Sequence, residues 1–503
     1  MKRILSFIIC VALLVSFASI LTACDGDTTP TTTTTTSTMT TTLDSTTTTQ
    51  GETTTSGVTT TENPITETPT TKPVGNSGNS GGNSGGNSGG TSSKSPFDTK
   101  KCLVLHVRGV YDGVLTGVVM QNTCTAAGKT NRTVGEDIRI EFTSGAKIYY
   151  EDGRTPSSTI PDKCFEYGDY VIVALEGQKT GIYTSVNGEF ISCYTASAVR
   201  SISSWDEHLT LMMRYKTGNP NLKTNYYETA LVDGYYKDVL SYAWEGDTIY
   251  ALLSPGRMIK INSNTGKIVT DAPLSPEPYE MRIYGNEIWV SFGTERIIGV
   301  FDKSSFDLIR TISTPMPVFS FDVHNDYLFY AESDKHGYVY RYNMATDVND
   351  KFNTSLRFYD AEVRCNAEAN WVYVAETGSS DSMIIAYDMD TITQVSSESG
   401  VSNSVSNMQI YNNMLYWSVL RLNPTKLYSS KQYIPYSSAL KNGSYQGVFC
   451  VSKDYIGATN GIYDRSTLEW LIMMPAAKNS FTIITNSGNI VMLRGNTLHV
   501  VTK

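Results

Sequence analysis

Glu332 and Glu376 stand at the same place in consecutive repeats of this sequence, four residues past the apolar residues Leu328 and Val372. Arg257, Arg296 and His336 stand eight past Ile249, Ile288 and Leu328, Arg421 stands six past Leu415, and Arg494 four past Ile490. Carboxylates flanked by guanidinium groups and an imidazole on one set of loops form a mixed-charge rim suited to a polar ligand such as a glycan or a peptide. Charged loop residues also serve simply to solvate a surface. A metal-assisted hydrolase or lyase would need more, namely histidines and carboxylates converging on one mouth. The five histidines, His106, His208, His324, His336 and His499, are scattered, and only His336 falls in a suitable loop. The globular part has no Gly-x-Ser-x-Gly nucleophile elbow. No Cys/His group has the spacing of a structural zinc site. Neither a catalytic set nor a cofactor is therefore expected, and binding is the plainest use of the rim.

The elements that position this rim are repeats. Short strands follow turns in a register anchored on Ile249, Ile288, Leu328, Val372, Leu415, Tyr455 and Ile490, with spacings of 35 to 44 residues. Each anchor is preceded by a polar or glycine turn and an earlier apolar run, as in Phe319–Val323 and Phe481–Ile484. Asn262, Asp302, Asn343, Asp388 and Asp464 each end a further apolar strand and have Thr or Ser three positions later. Such a side chain accepts bonds from the next backbone N–H groups and closes a turn, so these are read as turn staples and not as catalysts. Four short strands per repeat, seven times over, describes a seven-bladed β-propeller. After Ile490 only Asn496–Thr502 remains, one strand short, and Tyr226–Val232 is expected to supply the missing strand and close the ring.

The phrase Ile261–Ile268 (INSNTGKI), with relatives at Asp302 and Asp388, resembles the YVTN and quinoprotein-like bacterial propellers over residues 224–503. That resemblance implies architecture and little about activity. Trp470 follows Asp464 and Thr467 as in quinone-cofactor enzymes, but the other repeats lack its equivalent. Cys365 and Cys450 fall in inner strands and read as core. Upstream, residues 97–203 carry five or six short apolar runs separated by turns such as Asp112-Gly113 and Asn187-Gly188, the pattern of a small β-barrel or sandwich. It is similar to the OB-like barrels appended to bacterial surface lipoproteins. Cys102, Cys124, Cys164 and Cys193 lie there, open to two disulfides in any of three connectivities or to four free thiols.

The first hundred residues read as an address and a tether. Lys2 and Arg3 precede an apolar run from Ile4 to Leu21, and Leu21-Thr22-Ala23-Cys24 resembles the lipobox of bacterial lipoprotein signal peptides. The resemblance implies removal of residues 1–23 and acylation of Cys24 (palmitate or a similar chain), each buried CH₂ adding about 0.8 kcal/mol of membrane affinity. An uncleaved anchor would give the same address. Asp25–Gly75 holds 26 threonines in 51 residues, and Asn76–Ser93 repeats Asn, Ser and Gly. Residues 24–96 therefore cannot offset the entropy of ordering and are expected to form a disordered tether.

Overall composition agrees with this plan. The 503 residues are 40% hydrophobic and 18% charged, with a formal net charge of −9. An anionic surface repels polyphosphate, so no nucleic-acid partner is expected. The reading is an all-β chain, a monomer anchored to the extracellular face of the cell membrane through Cys24. It comprises a leader (1–23), a linker (24–96), a small barrel (97–203) and a seven-bladed propeller (204–503) that acts as a binding or scaffold module for an envelope protein or glycan. The alternatives are an exported enzyme acting on polysaccharide and a structural envelope spacer.

Overall fold

The computed structural model describes residues 94–150, 152–153, 156–159, 164–185, 188–231, 239–274, 278–333, 336–376, 381–402, 408–417, 420–422, 432–433, 448–458, 461–474, 480–494 and 497–503. The leader, Cys24 and the tether through residue 93 lie outside the described residues. So does the side chain of Arg421, whose backbone lies in the strand Leu420–Leu422. Among the described residues no helix is long and apolar enough to cross a membrane.

The N-terminal part is a small five-stranded barrel. Its strands are β1 (Cys102–Tyr111), β2 (Val114–Asn122), β3 (Asp137–Tyr149), β4 (Tyr170–Thr184) and β5 (Phe190–Ser201). β1 pairs antiparallel with β2 and β4, β2 with β3, and β4 with β5, while β3 runs parallel to β5, so the sheet closes on itself. Asp112 and Gly113 join β1 to β2 with φ of 51° and 71°, and two positive φ values in a two-residue link match the right-handed twist of the strands. Alternate side chains of β1 and β2, Leu103, Leu105, Val107, Leu115 and Val119 among them, fill the interior. Cys102, Cys124, Cys164 and Cys193 are not joined in disulfides. Burial pushes the Cys102 thiol up to about 12.

Two helices flank the barrel. α1 (Pro96–Thr99) starts at Ser95, whose Oγ accepts the Phe97 N–H, and buries Phe97. α2 (Trp205–Thr217) is an element that an all-β reading passes over. Its sequence carries the signals of a helix: Asp206 and Glu207 in the first turn, Arg214 and Lys216 in the last, and Gly218 in the left-handed conformation just beyond. Leu209, Met212 and Met213 line its buried face.

The described residues of 225–503 form six four-stranded antiparallel sheets and a further antiparallel set of four strands, within 448–473, that continues into the barrel sheet through a single pair; each of the seven is called a sheet below. Their first strands are Val239–Glu245, Met281–Tyr284, Val318–His324, Ala361–Asn366, Gln409–Tyr411, Val448–Val451 and Ser480–Ile484. Every anchor residue lies in the second strand of its sheet, and all seven are buried. Six sheets take their strands consecutively. The seventh has three strands of its own and is completed by β6 (Asn225–Ala230), which pairs with Thr497–Thr502 from Thr497↔Ala230 to Thr502↔Asn225.

Each sheet lays apolar side chains on the next. Tyr250 and Leu252 cluster with Ile288 and Val290, Trp289 with Leu328, and Phe329 with Val372. The seventh also packs on the first: Tyr242 stacks on Phe481 at 5.3 Å, and Asn489 Nδ2 donates to Ser263 Oγ at 3.2 Å and Asn264 Oδ1 at 2.7 Å. The barrel joins this assembly through one strand pairing, Gln121↔Ile472, and through α2. There Lys216 pairs with Asp464, and Tyr215 donates to Glu469 at 2.6 Å. One apolar cluster runs from the barrel through α2 into the sixth, seventh and first sheets.

The five turn staples are built alike. Asn262, Asp302, Asn343, Asp388 and Asp464 each accept, on Oδ1, the N–H two residues on, at 2.8–3.1 Å. All but Asn262 also accept the N–H three residues on. The fourth residue on, Gly266, Phe306, Asp347, Ile392 or Leu468, has φ between 51° and 68° and returns its N–H to the staple carbonyl at 2.9 Å. Hydroxyl and backbone bonds from Ser304 and Ser305 hold the Asp302 carboxyl at about 2. A depressed carboxyl contributes stability above its unfolded value of about 3.9 and loses it as pH falls through the folded value. Asp302→Asn should therefore melt slightly below the parent at neutral pH, with the gap closing between about pH 4 and pH 2. Asp302→Ala, which removes the acceptor, should melt clearly lower at both ends of a calorimetric pH series.

Candidate functional site

The rim residues do not form one cluster. Arg257 makes a two-point ion pair with Asp271 of the neighbouring strand, Nε to Oδ1 at 2.5 Å and Nη2 to Oδ2. Glu332 accepts the Tyr338 N–H at 3.3 Å and the Tyr340 hydroxyl at 3.4 Å, and Glu376 accepts the Tyr359 N–H at 2.9 Å. Both glutamates are thus engaged in holding their own loops. Arg296 and His336 are exposed, and the His336 ring meets Tyr359 edge-on at 5.4 Å. Arg494 reaches toward α2. Its guanidinium sits 4.4 Å from the centre of the Trp205 ring at the start of α2, and burial lowers its pKa against a smaller opposing effect of Tyr170. His208 packs beside it against Trp205 and Tyr170, and burial pushes that imidazole down to about 3.

The densest convergence of charge lies elsewhere, on the first strands of the second, third and fourth sheets. Arg364 Nη2 bonds to Glu362 and, at 3.1 Å, to Glu280. Its Nη1 reaches Ser320 Oγ at 3.3 Å, and its Nε donates to the Met408 carbonyl at 3.2 Å. Arg282 Nη2 pairs with Glu280 at 2.5 Å, and Arg282 Nε has no hydrogen-bond partner among the described residues. Asp322 accepts the Tyr284 hydroxyl at 2.5 Å and the Val323 and Cys365 N–H groups at 2.9 and 2.7 Å. The side chains of Glu362 and Arg364 are 5% and 8% exposed, so this is an interior network and not a surface one.

The same side chains tie sheet to sheet. Ser241 Oγ accepts the Met281 N–H at 3.1 Å, Glu280 the Phe321 N–H at 2.8 Å, Ser320 the Val363 N–H at 3.2 Å and Glu362 the Met408 N–H at 2.9 Å. Cys450 Sγ does so for Ile484 at 3.1 Å, so its inner-strand position serves a bond as well as the core. Each acceptor takes one N–H from the first strand of the next sheet, satisfying a backbone group that no ladder reaches. Ser241, Glu280 and Ser320 stand eight residues ahead of their anchors, and Glu362 stands ten ahead because its following turn is two residues longer.

Electrostatics follow from this confinement. Burial raises the Glu280 and Asp322 carboxyls, with Arg282 opposing it in both. Burial alone would lower Arg282, but Glu280 and Asp322 outweigh it and raise the guanidinium. Burial and the adjacent Asp322 push the Tyr284 phenol well up, and burial does the same to the Cys365 thiol. Two guanidiniums, Arg282 and Arg364, thus lie among three carboxylates, Glu280, Asp322 and Glu362, so that opposite charges face one another in the interior.

No family model matches the chain, and no curated protein does. Among solved structures, the computationally designed protein Ika8 is similar at a TM-score of 0.39 and 10% identity, over 54% of this chain and 98% of its own. No family assignment follows. The sequence reading missed the inner network, although a signal was present: Glu280-Met-Arg282-Ile-Tyr284 and Glu362-Val-Arg364 alternate charged and apolar residues in strands that precede buried anchors.

Proposed function

We propose that this chain is a cell-surface lipoprotein whose seven sheets form a closed seven-bladed propeller, and that it binds or scaffolds envelope proteins or glycans through loops carried on that wheel. The observation that carries the reading is the completion of the seventh sheet by β6, together with the packing of the seventh sheet on the first. A wheel closed in this way is rigid, and its loops vary freely without disturbing the core. The strand order β1-β2-β3-β5-β4 with one parallel pair supports the OB-like reading of the barrel. In this proposal Cys24 carries the acyl anchor and residues 25–93 lift the folded part, which begins at the Ser95 cap of α1, away from the membrane. The network around Arg364 then serves as a hub that keeps the loops in register, not as a site of turnover.

Among the rim residues whose side chains are described, Arg296 and His336 are the exposed ones, so they are the ones to vary. In a screen of the purified chain against envelope glycans and envelope proteins, Arg296→Ala/His336→Ala should weaken capture of the ligand by roughly tenfold with an unchanged melting temperature. Unaltered capture would remove this face from the proposal. Turnover of a polysaccharide by the purified chain would favour the enzyme reading instead.

A further inference from the structure

One groove on the barrel carries a charge opposite to that of the protein as a whole. The end of α1 and the start of β1 (Lys100, Lys101), the segment after β2 (Lys129, Arg132), Glu176 of β4 and Tyr194 of β5 line a cavity of about 540 Å³. Four cations, Lys100, Lys101, Lys129 and Arg132, face one carboxylate, Glu176, in a chain whose formal net charge is −9. A second cavity of about 850 Å³ shares Lys129, Asn131 and Arg132 with the first and continues to Tyr215 of α2 and Glu469 and Trp470 of the sixth sheet. There the two cations are balanced by Glu136 and Glu469. The groove therefore has a cationic lobe and a neutral lobe, joined at Lys129, Asn131 and Arg132.

The cations are held in place. Lys129 Nζ lies 5.0 Å from the centre of the Tyr215 ring, and the Arg132 guanidinium lies 5.8 Å from that of Tyr194. Arg132 Nε also donates to the Asn131 carbonyl at 2.9 Å, and Lys100 Nζ donates to Ser197 Oγ at 3.0 Å beside its ion pair with Glu176. Seating a cation on a ring lowers the entropy lost when it later meets an anion. Lys101, Lys129, Asn131 and Gln178 are exposed, and Lys101 makes no ion pair among the described residues.

We infer that this groove binds an anionic glycan chain, its phosphate or carboxylate groups meeting Lys101, Lys129 and Arg132 and its hydroxyls meeting Asn131, Gln178 and Thr99. Two joined lobes fit an extended chain better than a single small anion. Each has the size of an ordinary ligand cleft, roughly 300–1,000 Å³. The rings argue against single-stranded nucleic acid, which needs open aromatic faces on which bases stack. Here Tyr194 and Tyr215 are 8% and 6% exposed and carry cations. The site is separate from the loops proposed above and stands or falls independently of them.

The test is equilibrium binding of the full chain to an oligogalacturonate and to a poly(glycerol phosphate), with neutral dextran and an oligothymidylate as comparators. At least one anionic glycan should bind, dextran should not, and affinity should fall as salt rises from about 0.05 M to about 0.3 M. The ratio of the two anionic arms tells carboxylate from phosphate. Lys101→Gln/Lys129→Gln/Arg132→Gln should weaken binding by roughly tenfold or more, whereas Arg296→Ala/His336→Ala should leave it unchanged. Lys101→Glu alone, at an exposed side chain, should weaken it with an unaltered melting curve. Binding of dextran as tight as that of the anionic chains, tighter binding of oligothymidylate, or full binding by the triple variant would overturn the inference.

Discussion

Replacing Arg364 by methionine should lower the stability of the folded chain by about 3–5 kcal/mol. The guanidinium reaches five partners spread over four consecutive sheets: Glu362, Glu280, Ser320 and the carbonyls of Val363 and Met408. A methionine of similar length fills much of the space but takes away the guanidinium paired with Glu362, which is only 5% exposed. Stranding a buried charge costs more than the pair itself contributes. The double variant Glu362→Gln/Arg364→Met should therefore recover part of the loss, because a neutral amide at position 362 can still accept the Met408 N–H through its carbonyl oxygen. Denaturant melts at neutral pH measure both. A single variant within about 1 kcal/mol of the parent would show that the network is dispensable, and a double variant no better than the single would refute the stranded-charge account.

Gly461→Ala should be comparably damaging for a steric reason. Gly461 opens the third strand of the sixth sheet with φ of 152°, and a β-carbon there would lie 2.0 Å from the Ile472 carbonyl oxygen and 2.4 Å from Trp470 Nε1. Both belong to the outer strand Trp470–Met473, which pairs with Gln121 of the barrel. Backbone cannot yield as a flexible side chain does, so the outer strand must move, at about 3 kcal/mol or more. Gly285→Ala is the control. It also has positive φ, 58°, but nothing lies within 4 Å of its added carbon, so the cost should be only about 1 kcal/mol. Limited proteolysis should cut the Gly461 variant, and not the Gly285 variant, between residues 448 and 474. Equal melting of the two would refute the steric account.

The features legible in the sequence were those fixed over short distances. The second-strand anchors could be read because a buried strand after a tight turn leaves a pattern a few residues long, repeated from Ile249 to Ile490. The staples at Asp302 and Asp388 could be read because acceptor and donors lie within three residues. The need for a strand near Tyr226 followed from a shortage at the other end. What could not be read depends on neighbours distant in the chain. Arg494 looked like a loop cation, yet α2 brings Trp205 to it across 289 residues. Arg257 meets Asp271 only through the register of two strands. Glu280, Asp322, Glu362 and Arg364 acquire their meaning from partners about forty or eighty residues away, beyond the reach of any local pattern.

β6 is synthesised before the seven sheets and used after them. During synthesis, six leaves can assemble while a finished ribbon waits at the front for a mate that arrives only with residues 497–502. The oldest and youngest parts of the array meet in its last bonds, like a clasp. A chain that stops a few residues early would leave two unmated margins at once, the ribbon and the leaf it should have joined. Loss of those six residues should therefore be felt in the first sheet as well as the seventh, and not at the terminus alone.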